Sequence, residues 1–130
     1  MLAVDTSALV AILLREEQGD ACAVALREAS ETVMSAATLT EALIVAGGRR
    51  FGGEMAELIA ELSVRVEPVT AAFARRAAAA YARWGRGIHP AALNFGDCFA
   101  YATAEQYDCP LLFVGNDFAK TDIRDALTAP

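Results

Sequence analysis

The chain has little of the chemistry that thiols, imidazoles and amines supply, because its 130 residues include three cysteines, one histidine and one lysine. Cys22, Cys98 and Cys109 are odd in number and form no CxxC pair, which argues against a disulfide framework and against a zinc site. We expect three buried, reduced thiols. The lone His89 also leaves a His-rich metal site and a His-based nucleophile relay unsupported.

Long apolar runs and an excess of basic charge are missing as well. No apolar run reaches the ~20 residues that span a bilayer, and no Lys or Arg precedes Asp5 as in a signal peptide. We therefore expect a cytoplasmic protein without membrane association. The net charge is −6, whereas a passive nucleic-acid coat would be basic. The charge is still compatible with an enzyme that binds a cation in an acidic pocket and contacts only a few phosphate groups of its substrate.

What remains is the composition of a compact domain, with 55% hydrophobic and 22% charged residues. This length fits a single domain over residues 1–130. Apolar runs predict strands at 2–4, 32–34, 64–69 and 111–114, with longer helix-like segments between them. Short strands separated by helices require crossover connections, so the predicted fold is α/β with a mostly parallel sheet covered on both faces.

Local signals predict where several helices begin. Thr6 or Ser7 can cap a helix to residue 14, and Asp20 one to residue 29. Thr70 opens a helix that ends near residue 85, and Asn94 caps one to residue 107. Residues 47–53 form a Gly-flanked basic loop between two further helices, 41–46 and 54–63.

Four of the 17 acidic residues stand alone in apolar sequence: Asp5, Glu41, Asp97 and Asp117. Each is the only charged side chain in its stretch, at 1–14, 32–48, 87–104 and 109–119 respectively. An ionised carboxylate is costly to bury without a partner, and no Lys or Arg lies nearby in the sequence. The other acids are expected to be solvated surface charges.

The positions of these four acids predict a common site. Asp5 follows the first strand and Asp117 follows the last, and residues just past the carboxyl ends of parallel strands line the ligand crevice of an α/β sheet. Glu41 and Asp97 lie near the starts of helices that can be aimed at the same crevice. Four carboxylates together would repel one another unless a divalent cation were bound. Mg²⁺ and Mn²⁺ prefer oxygen ligands, which predicts hydrolysis of a phosphodiester by metal-activated water.

Each acid also has a structural interpretation. Asp5 could cap the first helix, and Thr38 with Glu41 matches a capping box. Asp97 could be a favourable charge at a helix N-terminus, and Asp117 could be a turn residue. A purely structural role for all four together is the weaker interpretation.

The same residues resemble those of a known family, the PIN-domain ribonucleases, and within it the VapC-type toxins of bacterial toxin–antitoxin pairs. The resemblance rests on the segments 4–9 (VDTSAL), 93–102 (LNFGDCFAYA), 110–118 (PLLFVGNDF) and 121–123 (TDI), together with Glu41 at the head of an apolar helix. These segments occur in the family's order and spacing over essentially the whole chain.

The resemblance implies a three-layer α/β/α sandwich, a homodimer, and Mg²⁺ or Mn²⁺ in an acidic pocket. It implies endonucleolytic cleavage of RNA, often tRNA or rRNA, and inhibition by a small VapB-type antitoxin protein. The catalytic, metal-binding quartet would be Asp5, Glu41, Asp97 and Asp117. The supporting polar groups would be Thr6, Ser7, Asn94 and Asn116, although many relatives have Thr, Ser or an acid in place of Asn116. Neither the RNA, the bond that is cleaved nor the number of metal ions follows from the sequence.

A second basic and aromatic stretch, residues 83–89, suggests RNA contact. Arg86 can bind a phosphate, and we expect Arg86 and His89 to help position RNA.

Two other functions are left open. The first is an α/β phosphatase or phospho-acceptor domain using Asp5, although the second Asp that such phosphatases want two positions on is Ser7 here. The second is a PIN-fold interaction module without catalytic activity.

Overall fold

The computed structural model describes residues 1–128. In this part of the chain, four parallel strands form one sheet in the order β3-β2-β1-β4. The strands are β1 (Leu2–Val4), β2 (Thr32–Ser35), β3 (Arg65–Glu67) and β4 (Leu111–Leu112). β1 is central, because Leu2 is paired with Thr32 on one side and Val4 with Leu112 on the other. Chain segments that leave these strands therefore emerge at the same edge of the sheet.

Helices cover both faces of the sheet. They are α1 (Thr6–Leu13), α2 (Gly19–Glu28), α3 (Ala36–Gly48), α4 (Gly52–Glu61), α5 (Ala71–Trp84) and α6 (Phe95–Gln106). Within the described chain no helix is long and apolar enough to cross a membrane.

Alternation along the strands divides the core into two halves. Ala3, Val33 and Leu111 point into a cluster built with α5 and α6, whereas Val4 and Met34 point into a second cluster built with α1 to α4. Successive strand residues face opposite sides of a sheet, so the two clusters lie on its two faces. The result is a three-layer α/β/α sandwich, which confirms the predicted fold class.

The starts of three helices differ from the predictions. Asp5 is the N-cap of α1 in place of Thr6 or Ser7, because its backbone is extended and its side chain accepts from the Ser7 N–H, so the alternative structural interpretation of Asp5 is confirmed. Asp20 lies in the first turn of α2, behind an N-cap without a side-chain hydrogen bond. α3 follows β2 directly, with Ser35 as its cap. The predicted capping box is therefore wrong for Glu41, which lies well inside α3.

Two boundaries in the middle and at the end of the chain also differ. The predicted basic loop is reduced to residues 49–51, because Gly47 and Gly48 end α3 and Gly52 begins α4. β4 has two residues instead of four, since the Val114 N–H donates to the Ser7 hydroxyl and not to a neighbouring strand. The prediction for the cysteines is confirmed, because all three are buried free thiols.

Candidate active site

The four isolated acids of the sequence lie near one another at the carboxyl edge of the sheet. Asp5 follows β1, Glu41 projects from α3, Asp97 lies in the first turn of α6, and Asp117 follows β4. Asp5 is close enough to Glu41 and Asp97 for their charges to raise its pKa. The charges of Glu41 and Asp117 likewise raise the pKa of Asp97. Asp97 therefore stands at the centre of the cluster.

Asp5 is the most deeply buried acid, with 5% of its surface exposed. Its Oδ2 accepts hydrogen bonds from the Ser7 N–H at 3.1 Å and from the Ser7 hydroxyl at 2.6 Å. Its Oδ1 is buried and has no hydrogen-bond partner among residues 1–128. Desolvation by burial, opposed by the two Ser7 bonds and assisted by the charges of Asp97 and Glu41, raises the pKa of Asp5 from 3.8 to about 6.

Glu41 is held between α1 and α6. Its Oε1 accepts a hydrogen bond of 2.7 Å from the Thr6 hydroxyl. Its carboxylate packs directly on the backbone of Gly96, where a Cβ atom would overlap Oε2. A glycine inside the first turn of a helix is unfavourable for the helix itself, so its value here is the room that it leaves for Glu41.

Asp97 is tied to the start of α6 by a reciprocal capping box with Asn94. The Asp97 N–H donates to the Asn94 side chain at 2.9 Å, and the Asn94 N–H donates to Asp97 Oδ2 at 3.0 Å. Burial raises the pKa of Asp97, and the charges of Asp117 and Glu41 raise it further. The Asn94 backbone bond and the charge of Arg86 act in the opposite direction.

The Ser7 hydroxyl connects the segments that follow β1 and β4 at this edge. It donates to Asp5 after β1 and accepts from the Val114 N–H after β4 at 3.0 Å. Thr6 and Ser7 thus orient different acids, although they are neighbours in α1. The sequence named both as supporting groups, but nothing in it singled out Gly96, whose only signal was a glycine beside the acid of a helix start.

The remaining predicted site residues are less constrained. Asn116 and Asp117 are exposed after β4, and Asp117 precedes the short 3₁₀ turn Phe118–Lys120. Arg86 is exposed and takes part in none of the ion pairs formed within residues 1–128. His89 is half-buried: its Nδ1 accepts from the Ala91 N–H at 3.0 Å, and its ring lies edge-on to Trp84 at 4.7 Å.

A further acid, Asp122, which sequence reasoning did not include in the quartet, is engaged elsewhere. Its Oδ1 accepts a 2.6 Å hydrogen bond from the hydroxyl of Tyr101, and its other oxygen lies 3.4 Å from Arg83. Tyr101 is a residue of α6 whose side chain is buried in the core. Asp122 thus anchors the segment after β4 to α6.

The donor set at the carboxyl edge fits a divalent cation. The side chains offer carboxylate oxygens, the ligands that Mg²⁺ and Mn²⁺ prefer, and the buried Asp5 Oδ1 has no protein donor. In residues 1–128, however, no three acidic, histidine or cysteine side chains stand close enough to form a ready-made metal shell. The carboxylates are bonded to Ser7, Thr6 and Asn94, an arrangement suited to a cation that keeps several of its waters.

Both the fold and the acidic edge are those of one protein class. The PIN domain family model matches residues 2–124. The chain therefore belongs to the PIN-domain family.

Similar proteins and structures indicate which members of the PIN-domain family this chain resembles. Ribonuclease VapC28 of Mycobacterium tuberculosis is 48% identical over 128 residues, which are 95% of this chain and 96% of that protein. A crystal structure of Mycobacterium tuberculosis VapC20, a sarcin-ricin loop cleaving toxin, matches with a TM-score of 0.74 at 20% identity, covering 95% of this chain and 96% of that one. A toxin–antitoxin complex from Klebsiella pneumoniae matches with a TM-score of 0.72 at 15% identity, covering 94% and 93%. Within the PIN family, the similarity is thus to VapC ribonucleases along nearly the whole chain.

Proposed function

We propose that this protein is a Mg²⁺- or Mn²⁺-dependent endoribonuclease, the toxin of a type II toxin–antitoxin pair. One observation carries the metal dependence: a buried carboxylate oxygen, Asp5 Oδ1, has no hydrogen-bond donor among residues 1–128, although the charges of Asp97 and Glu41 act on the same carboxyl group. A group of like charges in a partly buried site needs a counter-charge, and the charge of Arg86 is the smallest of the influences on the pKa of Asp97. Similarity to VapC ribonucleases supports RNA as the substrate.

The four acids have separate roles in this proposal. Asp5 and Asp97 hold the cation, Glu41 assists from the α3 side, and Asp117, which is exposed, acts through water. When bound, the cation lowers the pKa of a water and stabilises charge on the phosphoryl oxygens during hydrolysis.

The hydroxyl and amide groups around the acids fix their orientation. Ser7 holds Asp5 and Thr6 holds Glu41, each through its hydroxyl, and Asn94 holds Asp97 through the capping box. Asn116 is proposed as a fourth polar group. These bonds supply the preorganisation that a site built from like charges needs.

The test compares RNA cleavage by the wild-type protein with that by Asp5→Asn and Asp97→Asn, in Mg²⁺, in Mn²⁺ and in EDTA. Asp108→Asn is the matched control, because the Asp108 side chain is 97% exposed and lies outside the acid cluster. We expect cleavage by the wild type and the control only with metal, and a loss of at least about a hundredfold in the other two variants. Cleavage in EDTA, or full activity of Asp5→Asn, would contradict the mechanism. An RNA-inactive protein would instead support a PIN module without catalysis.

The class of RNA is proposed to be tRNA or rRNA. VapC20, whose fold this chain shares, is described as cleaving the sarcin-ricin loop, which is part of rRNA. Incubating total tRNA and intact ribosomes with the protein and mapping new 5′ ends would distinguish the two. Cleavage of neither, with activity only on unstructured RNA, would contradict this assignment.

The proposed partners are a short VapB-type antitoxin and a second copy of the chain. The net charge of −6 and the acid cluster favour an antitoxin that places a basic side chain in the pocket and an apolar helix beside it. Co-expression with the product of a small reading frame next to the gene should give a stable complex that no longer cleaves RNA. Sedimentation of the isolated protein tests the dimer, and a monomer at micromolar concentration would contradict it.

A further inference from the structure

An apolar groove adjoins the acid cluster between α5 and α6. It is a cavity of about 710 Å³, and its lining includes Tyr81 from α5, Phe95 and Phe99 from α6, and Asn94 and Arg86 from the segment that joins the two helices. We call it the aromatic groove. Among the described residues 1–128, Arg86 is the only charged one in this lining.

The two most exposed aromatic side chains of residues 1–128 both line the groove. Phe95 is 78% exposed and Tyr81 is 40% exposed, and no other aromatic side chain among residues 1–128 is as open to solvent. Phe95 is also well supported, because the ring of Phe99 meets it edge-on at a centroid distance of 5.0 Å. A rigid aromatic face open to solvent is the feature on which proteins stack unpaired bases.

The aromatic groove adjoins the acid cluster at Asn94. Asn94 lines the groove and also forms the capping box with Asp97, and Phe95 is the next residue in the chain. Arg86 lines the groove together with Asn94. A nucleotide whose phosphate lies at the acid cluster therefore has the groove directly beside it.

We propose that the aromatic groove binds an unstacked nucleobase of the RNA next to the scissile bond. Phe95 is its stacking platform, and Arg86 contacts the adjacent phosphate. This inference rests on the proposed ribonuclease function and adds to it a base-binding subsite.

The charge of the groove favours RNA over a second copy of the chain. In a chain with a net charge of −6, the lining of this surface has a positive group and no negative one, which suits a polyanion. Two copies that met through this same face would each bury an Arg86 in an interface whose lining offers no acid to pair with it.

Binding is tested with fluorescein-labelled single-stranded oligoribonucleotides of mixed sequence, measured by anisotropy in Mg²⁺. The Asp5→Asn protein is the parent, so that binding is read without cleavage. Phe95→Leu keeps the apolar character but removes the aromatic face, and Phe95→Tyr keeps the face. Ile44→Ala is the matched control, because Ile44 is 69% exposed on α3 and does not line the groove.

We expect Phe95→Leu to weaken RNA binding about tenfold or more, and Phe95→Tyr and Ile44→Ala to change it by less than about twofold. An abasic oligoribonucleotide of the same length should bind the parent about as weakly as the intact RNA binds Phe95→Leu. Equal binding by Phe95→Leu and the parent, or no binding by the parent, would overturn the proposal. So would dissociation of a dimer by Phe95→Leu in sedimentation, which would identify the groove as a contact between copies.

The proposed function is judged separately, by cleavage with Phe95 intact. If the wild type cleaves RNA while Phe95→Leu in the Asp5→Asn background binds as well as its parent, the subsite is refuted and the ribonuclease stands. If the wild type cleaves no RNA in Mg²⁺ or Mn²⁺, the ribonuclease function fails whatever Phe95 does.

Discussion

The carboxyl group of Asp5 should destabilise the metal-free protein at neutral pH, and Asp5→Asn should remove this effect. Burial raises the pKa of Asp5 from 3.8 to about 6, so the neutral form fits the folded state better than the ionised form. The stabilisation from protonation is fully present below the unfolded pKa of 3.8 and is lost as the pH rises through about 6. Asparagine resembles the neutral acid and does not titrate.

The size of the effect follows from the shift. A difference of about two pKa units at ~1.4 kcal/mol each corresponds to about 3 kcal/mol between acid and neutral pH. About half of this change falls between about pH 5 and about pH 7.5. The Asn amide N–H₂ would replace the unpartnered Oδ1 at a cost of about 1 kcal/mol, which leaves a net gain of about 2 kcal/mol at neutral pH. That cost does not vary with pH, so the pH dependence is the cleaner quantity.

The measurement is urea unfolding in EDTA at about pH 5 and about pH 7.5, for the wild type, Asp5→Asn and the exposed control Asp108→Asn. We compare the free energy of unfolding of Asp5→Asn with that of the wild type at each pH. This difference should be about 1.5 kcal/mol more in favour of Asp5→Asn at about pH 7.5 than at about pH 5. Mg²⁺ at about a hundred times its Kd should then stabilise the wild type by about 2.7 kcal/mol and leave Asp5→Asn nearly unchanged. The reasoning would be refuted if the difference in unfolding free energy between the two proteins were the same at both pH values to within about 0.5 kcal/mol.

Two further substitutions separate orientation of the site from stability of the fold. Gly96→Ala should displace the Glu41 carboxylate, lowering RNA cleavage about tenfold or more with a stability change within about 1 kcal/mol, whereas Gly53→Ala, which meets open space, should leave cleavage unchanged. An unaffected Gly96→Ala enzyme would show that the position of Glu41 does not matter. Tyr101→Phe removes the 2.6 Å hydrogen bond to Asp122 and should cost about 1–2 kcal/mol in thermal unfolding while cleavage at low temperature is retained. Loss of cleavage in a folded Tyr101→Phe protein would instead give Asp122 a part in the site.

The sequence predicted the strands and the acidic edge because both depend on local signals. Bounded apolar runs mark the parallel strands, and a charge such as Asp5 directly after a buried strand can only lie at the sheet's carboxyl edge. Asp97 was found in the same way, since Asn94 three residues earlier is a strong helix cap.

Contacts between distant segments explain what the sequence did not predict. Thr38 and Glu41 fit a capping box by spacing, yet α3 begins at Ala36 with Ser35 as its N-cap, because the chain passes from β2 into the helix without a loop. The partner of Glu41 is Thr6, 35 residues away, and its backing is Gly96 on a third helix. No periodicity or spacing in one segment specifies such a meeting of three helices.

The acid cluster also explains why its supporting groups are neutral. A lysine or arginine bonded to Asp5 would remove the unpartnered oxygen and lower the raised pKa, and the affinity for a cation would fall with them. Hydroxyl and amide donors such as Ser7, Thr6 and Asn94 orient the carboxylates without neutralising them. Arg86, the proposed phosphate contact, lines the aromatic groove, and its charge lowers the pKa of Asp97. The stability lost through unpaired carboxylates in the free protein is therefore the source of its proposed affinity for metal.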